Sequence, residues 1–243
     1  MDVDLSQSQA VYQHYLAHQQ NRVRAKLMYA TLAARIRPAV RFRSRAGIRA
    51  VVASGAPILV AANHVSERDP LVLAAAGFRS PIQRRIGRLR VLAKDELFED
   101  PEQRKKIDAL GGIPVFRTKD HGVRAAADAG RQMIGVCVER MGRGDSIAVF
   151  PEGTCNLGDT TKLQKLGTGI GHIAHRAVRG GVDVWLVSAG IAYPTAGAGG
   201  HPVVTFGDPV HLTAHRDETP AALTRTIQQD LQDVVDEACA FAA

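Results

Sequence analysis

A chain of 243 residues with 45% hydrophobic content has room for one substantial α/β domain and a smaller appendage, and its formal charge of +7 asks for an anionic partner. Three widely spaced cysteines, Cys137, Cys155 and Cys239, argue against a disulfide framework or a Cys-rich zinc site and fit a reducing cytoplasm. Residues 1–10 lack the apolar core of a secretory signal, and no stretch offers the roughly 18 unbroken apolar residues that a transmembrane helix needs.

Residues 5–66 hold no Asp or Glu, yet they carry Arg22, Arg24, Lys26, Arg35, Arg37, Arg41, Arg43, Arg45 and Arg49. Nothing between residues 7 and 37 breaks a helix, and Leu16, Val23, Leu27, Ala30 and Ala34 recur at helical spacing beside the basic residues. Such a helix either lies in an anionic membrane interface or packs as a solvated helix against the main domain. Pro38 ends it, which predicts an N-terminal basic amphipathic segment over 1–38 and an α/β domain over 39–243.

Residues 40–42 suit an edge strand, and residues 57–62 read as a buried strand that gives way to a helix at residues 71–76. Arg79, Arg84, Arg85, Arg88 and Arg90 form a second basic cluster, leading into a strand over 90–93 and a helix-prone run over 94–110. A Gly-Gly turn and a short strand follow, ending in Arg117; residues 122–141 then show helical periodicity. Residues 145–150 form a strand closed by Pro151, Glu152, Gly153 and Thr154. A Gly-rich cationic loop over 160–171 leads into a helix through Arg179, two strands cover 184–189 and 203–206, and a helix spans about 220–241. The alternation predicts an α/β fold with a mixed, largely parallel sheet flanked by helices.

Three chemistry-bearing stretches end strands: His64 with Asp69, Arg117, and Glu152-Gly153-Thr154. In open α/β sheets ligands bind at the carboxyl ends of strands, so the three are expected to share one crevice. A histidine takes a proton near neutral pH, and a nearby aspartate fixes its tautomer and stabilises the imidazolium. With no nucleophile assigned, the hydroxyl to be activated belongs to the substrate. Asp69 before Pro70 also suits a helix N-cap.

In kind and order these blocks resemble the glycerolipid acyltransferase family of 1-acylglycerol-3-phosphate O-acyltransferase-like enzymes. The family's His-X4-Asp motif appears as His64 to Asp69, its second block as Gly112 to Arg117, and its Phe-Pro-Glu-Gly-Thr block as Phe150 to Thr154. Lys165-Leu166-Gly167 is similar to a further basic segment, and the resemblance covers about residues 40–210.

The resemblance implies transfer of an acyl group from acyl-CoA or acyl-carrier protein to the free hydroxyl of a lysophospholipid, 1-acyl-glycerol-3-phosphate above all. His64 is then the general base and Asp69 its orienting acid, with backbone amides near Gly153 or after His64 steadying the oxyanion. Arg117, Glu152, Gly153, Thr154 and Lys165 bind the acceptor and its phosphate: Arg117 as a fork for phosphate oxygens, Glu152 paired with a cation or a glycerol hydroxyl, Gly153 permitting close approach. The second basic cluster suits the anionic donor. No cofactor is expected beyond the acyl thioester, and no metal, since His172 and His175 make no ligand pattern.

Two departures stand out. Cys155 replaces the arginine that often follows the third block, which favours glycerol-3-phosphate or a phosphate-free lipid alcohol as alternative acceptors. As a nucleophile Cys155 lacks a base of its own, His64 being committed. Val187-Ser188-Ala189-Gly190 replaces a Pro-rich strand. A non-catalytic lipid-surface protein is the rival from another class. The scarcity of aromatics around the basic clusters argues against nucleic acid, so the expected location is peripheral, on the cytoplasmic face of a membrane.

Overall fold

The structure, a computed structural model, describes residues 2–194 and 200–243. The N-terminal segment forms α1 (Ser8–Ala17) and α2 (Arg22–Ile36). The elements β1 (Ala39–Phe42), α3 (Arg45–Ser54), β2 (Ile58–Ala62), α4 (Asp69–Phe78) and β3 (Leu89–Lys94) follow. Next come α5 (Pro101–Leu110), β4 (Gly112–Val115), the single turn α6 (Thr118–His121), α7 (Val123–Gly142) and β5 (Ser146–Val149). The chain ends with α8 (Gly169–Arg179), β6 (Trp185–Ala192), β7 (Val203–Phe206), β8 (Val210–His211) and α9 (Pro220–Ala242).

One mixed sheet runs in the order β1-β7-β6-β2-β5-β3-β4, with β8 pairing β6. The ladders β6-β2, β2-β5, β5-β3 and β3-β4 are all parallel, while β7 and β8 run against β6. Both faces of β2 are covered because its side chains alternate. Leu59 and Ala61 enter the core beneath α1, α7, α8 and α9, whereas Ile58, Val60 and Ala62 enter the core beneath α2, α3 and α4. An uninterrupted apolar strand is the sequence form of that double burial, so the expected α/β architecture is the one observed.

The single helix expected over residues 7–37 is two. Asn21 caps α2 by accepting the Arg24 N–H, and the intervening residues are drawn inward: Gln20 Nε2 donates to the Ala109 carbonyl, and the His18 carbonyl accepts from Arg90 and Arg140. Both arginines are nearly buried and converge on Asp145, a tertiary arrangement that local periodicity does not encode. The apolar stripe also divides. Ala25, Tyr29 and Ala33 form the packed face of α2, while Val23 and Leu27 remain 79% and 68% exposed.

The run over 94–110 likewise splits, into a 3-10 turn (Asp95–Phe98) and α5, because Asp100 caps α5 and Pro101 takes its first turn. The helix α3 has no counterpart among the expected elements: a basic N-terminal half disguises the apolar side formed by Ile48, Val51 and Val52.

Small residues on β6 let α9 lie close to the sheet. A Cβ on Gly190 would stand 2.3 Å from the Val234 carbonyl oxygen, so this position requires glycine. The replacement of a Pro-rich strand by Val187-Ser188-Ala189-Gly190 therefore seats a helix, and Ser188 Oγ also donates to Asp230 at 2.5 Å.

Candidate functional site

Because β2, β4, β5 and β6 point the same way, the residues after them gather at one edge of the sheet. Asn63 ends β2 and is locked to β6 by reciprocal bonds with Ile191: Asn63 Nδ2 donates to the Ile191 carbonyl at 2.9 Å and Asn63 Oδ1 accepts its N–H at 2.7 Å. His64 follows on that fixed strand end. Its Nδ1 lies 3.0 Å from Asp69 Oδ2, and its ring packs against Phe150 with centroids 4.7 Å apart.

Asp69 is fully buried and saturated with donors. Its Oδ2 accepts the Val65 and Ser66 amides at 2.6 and 2.8 Å, and its Oδ1 accepts the Tyr193 hydroxyl at 2.6 Å. The N-cap of α4 is Arg68, not Asp69. Asp69 takes the first helical position and its carboxylate turns back onto the loop, where accepting those amides serves the same electrostatic end as a cap. An acceptor-only carboxylate facing Nδ1 makes that nitrogen the donor, which leaves Nε2 as the basic lone pair. Burial, followed by the bond to Asp69, pushes the Tyr193 phenol well above its usual range, so it stays a donor.

Glu152 lies beside this pair because β5 neighbours β2. Its Oε1 accepts the His64 N–H at 2.7 Å and its Oε2 accepts the Gln164 N–H at 2.9 Å. Glu152 staples the His64 backbone to the loop before α8, and among the described residues no cation pairs with it. Burial raises its carboxyl despite the two amide bonds, so the staple carries a desolvation cost. Gly153 has φ +71° and open space where a Cβ would stand, so the turn itself calls for glycine.

Arg117 follows β4. Its Nε binds Asp120 Oδ2 at 2.6 Å and its Nη1 donates to the Gly153 carbonyl at 3.3 Å, so it both pairs locally and touches the third block. Lys119, which sequence reasoning passed over, reaches Thr154 Oγ1 at 3.5 Å. The segment after β4 thus brings two cations to the block in which Cys155 stands for arginine. Lys165 is exposed on the loop before α8, next to the Gln164 that Glu152 holds.

Cys155 was assigned no base, yet its Sγ stands 3.4 Å from His64 Nε2. The thiol fills the space in front of that nitrogen. Burial first, then Asp69, Glu67 and Glu152, push this thiol upward, so it rests neutral against the imidazole.

The acyltransferase family model matches residues 40–193, well over half of the chain and the span that holds every contact just described around Asp69. The chain belongs to the acyltransferase family. It is also similar to a 1-acyl-sn-glycerol-3-phosphate acyltransferase of Borreliella burgdorferi (strain ATCC 35210 / DSM 4680 / CIP 102532 / B31), at 32% identity over 111 residues. That similarity covers 46% of this chain and 38% of the relative's length.

In this acyltransferase, three features at the site escaped the sequence reading: Tyr193, Lys119 and the Cys155–His64 contact. Tyr193 carried a weak signal, a polar aromatic just past a buried strand. The other two depend on the folding of loops across β4 and β5 and carried none. The amides after His64, expected to steady an oxyanion, are already committed to Asp69.

Proposed function

We propose that this acyltransferase transfers an acyl group from an acyl thioester, acyl-CoA or acyl-carrier protein, to the free hydroxyl of a lysophospholipid at a membrane surface. The first acceptor is 1-acyl-glycerol-3-phosphate, giving phosphatidic acid. The observation that carries the reading is His64 Nδ1 tied at 3.0 Å to a fully buried Asp69, which leaves Nε2 to accept a proton at the mouth of the site. The activity for which the Borreliella relative is named supports the acceptor.

His64 Nε2 takes the hydroxyl proton as the acceptor oxygen attacks the thioester carbonyl. The C–O bond forms, the C–S bond breaks, and the departing thiolate takes the proton from the imidazolium, whose charge Asp69 offsets. The Thr154 and Cys155 amides, which meet no acceptor among the described residues, suit the oxyanion. Arg117 and Lys119 suit the acceptor phosphate, with Lys165 adding charge from the loop. Glu152 holds the base in place and Gly153 makes the turn, while Thr154, beside Lys119, suits the acceptor.

An apolar cavity under α4, lined by Pro70, Leu71, Ala74, Ile82 and Tyr29, begins one residue from Asp69 and suits a hydrocarbon chain. Residues 1–38 act as the membrane-facing appendage of the domain over 39–243, placed on the cytoplasmic face. Among the described residues no helix is long and apolar enough to cross a membrane, and Val23 and Leu27 stand exposed beside Arg22, Arg24 and Lys26.

The test is release of free thiol from acyl-CoA and acyl-carrier protein with a panel of acceptors. Lysophosphatidic acid is expected to give the highest kcat/KM, and His64→Ala to abolish release while the protein stays folded. Near-wild-type turnover in His64→Ala overturns the mechanism. Cys155 in place of a cation favours a second reading, glycerol-3-phosphate or an uncharged lipid alcohol as acceptor, and the same panel decides between them. Vesicle binding with no thiol release from any donor would leave a lipid-surface protein.

A further inference from the structure

Three arginines of the second basic cluster lie at the opposite edge of the sheet from the His64 centre. Arg84, Arg85 and Arg88 precede the start of β3, and Arg85 Nη2 donates at 2.7 Å to the carbonyl of Ala56, which precedes β2. His64 follows the other end of the five-residue β2, a strand length of about 17 Å away.

There the start of α2, the end of α3 and the 84–88 loop enclose a cavity of about 310 Å³ walled by Arg22, Val52, Arg84, Arg85 and Arg88. Gly87, at φ +95°, lets α2 close down on this loop: a Cβ there would stand 2.9 Å from Arg22 Cγ, so the glycine sets Arg22 into the wall.

Four arginines line one concavity, and their like charges repel unless something negative joins them. Among the described residues no carboxylate forms an ion pair with Arg22, Arg84, Arg85 or Arg88. No Asp or Glu occurs over residues 5–66 or 70–94. Asp145 lies next to the Gly144 that Arg88 approaches, but it is taken by Arg90 and Arg140. Arg22, Arg84 and Arg88 are exposed, whereas Arg85 is only 8% exposed and its buried Nε has no acceptor. Burial and the neighbouring Arg88 accordingly pull Arg85 below its usual range. A buried, under-bonded guanidinium among like charges is costly unless an anion completes it. Arginine forks match the oxygens of a phosphate.

The next residues on α2 identify the carrier of that phosphate. Val23 adjoins Arg22, Leu27 lies one turn further along the helix, and both project into solvent at 79% and 68% exposure. A phosphate pocket beside protruding apolar side chains matches a lipid headgroup with its hydrocarbon next to it. We infer that the Arg22, Arg84, Arg85 and Arg88 concavity is a binding site for the phosphate of an anionic phospholipid headgroup, distinct from the His64 centre and serving to hold α2 on the bilayer. This deepens the membrane-surface part of the proposed function and is independent of the acyl-transfer part.

The test is co-sedimentation of the full chain with phosphatidylcholine vesicles containing phosphatidylglycerol, or oleate at the same surface charge. Arg84→Glu/Arg88→Glu is compared with Arg179→Glu/Arg225→Glu, which makes the same charge change at exposed positions on α8 and α9, across the sheet. Affinity for phosphatidylglycerol vesicles is expected to fall on the order of 100-fold in the first pair. It should hold in the second, and wild type should prefer phosphatidylglycerol to oleate. Equal losses in both pairs, or no preference for the phosphate lipid, would mean diffuse charge and overturn the site. Arg84/Arg88-dependent binding of inorganic phosphate or CoA, without binding to vesicles, would assign the pocket to a soluble phosphate and overturn the lipid occupant. Thiol release with a soluble short-chain acceptor should be unchanged in the first pair. Its loss there would undo the separation from His64, whereas an inactive wild type that binds vesicles as expected would count against acyl transfer alone.

Discussion

Asp69→Asn isolates the electrostatic part of the dyad from its geometry. In wild type the Asp69 carboxylate accepts the His64 ring, two backbone amides and the Tyr193 hydroxyl. The asparagine oxygen can keep the first three bonds, and its NH2 can donate to Tyr193 in reverse, so the loop should hold its shape. What disappears is the negative charge facing the imidazolium that, in the proposed mechanism, forms as the acceptor hydroxyl is deprotonated. At an effective dielectric of about 20, opposite unit charges 3 to 4 Å apart attract by roughly 4 to 5.5 kcal/mol, which corresponds to about 10^3 to 10^4 in rate. Steady-state thiol release should therefore show kcat lowered by roughly that factor with KM for both substrates little altered. Thermal unfolding should remain near wild type. A folded Asp69→Asn protein that keeps more than about a tenth of wild-type kcat would refute the argument, because a loss of so little free energy could not come from a lost charge at this distance.

Iodoacetamide should inactivate the enzyme by labelling Cys155, with Cys155→Ala resistant and lysophosphatidic acid protective. Since Cys155 is pushed up, the thiolate fraction at a given pH is smaller than for a free cysteine, so the labelling rate should still be climbing above the ordinary thiol range; Cys137, buried and pushed up to about 12, should not react in the native protein. Asp145→Asn should cost about 3 to 5 kcal/mol, read by urea unfolding, because it strands the buried Arg90 and Arg140 without their shared counter-charge. A loss below about 1 kcal/mol would mean that the His18 carbonyl alone suffices for both arginines.

Much of the architecture was legible because it follows from local pattern. The run over 57–62 reads as a doubly buried strand, and 122–141 and 220–241 show helical periodicity over many turns, so sterics and burial act residue by residue. The end of the N-terminal helix was not legible in the same way. Residues 18–21 have no strong breaker, and the break forms because Gln20 and the His18 carbonyl are wanted by groups far along the chain. Short elements with mixed composition, α3 above all, fell below what a periodic signal can carry.

At the site, His64, Asp69, Arg117 and Glu152 were singled out by their place after strands, and parallel pairing of those strands brings them to one edge. Residue type and order therefore determined by themselves which groups could meet, and that the chain is an α/β protein with a basic N-terminal segment. Only tertiary structure decided what each group touches. Glu152 holds two backbone amides and no cation, Cys155 stands against His64 Nε2, and the second arginine cluster faces away from both. The physical reason is range. Strand and helix patterns are set by neighbours within a few residues, whereas a carboxylate finds its donors, and a guanidinium is left without an anion, through loops and sheet partners tens of residues apart.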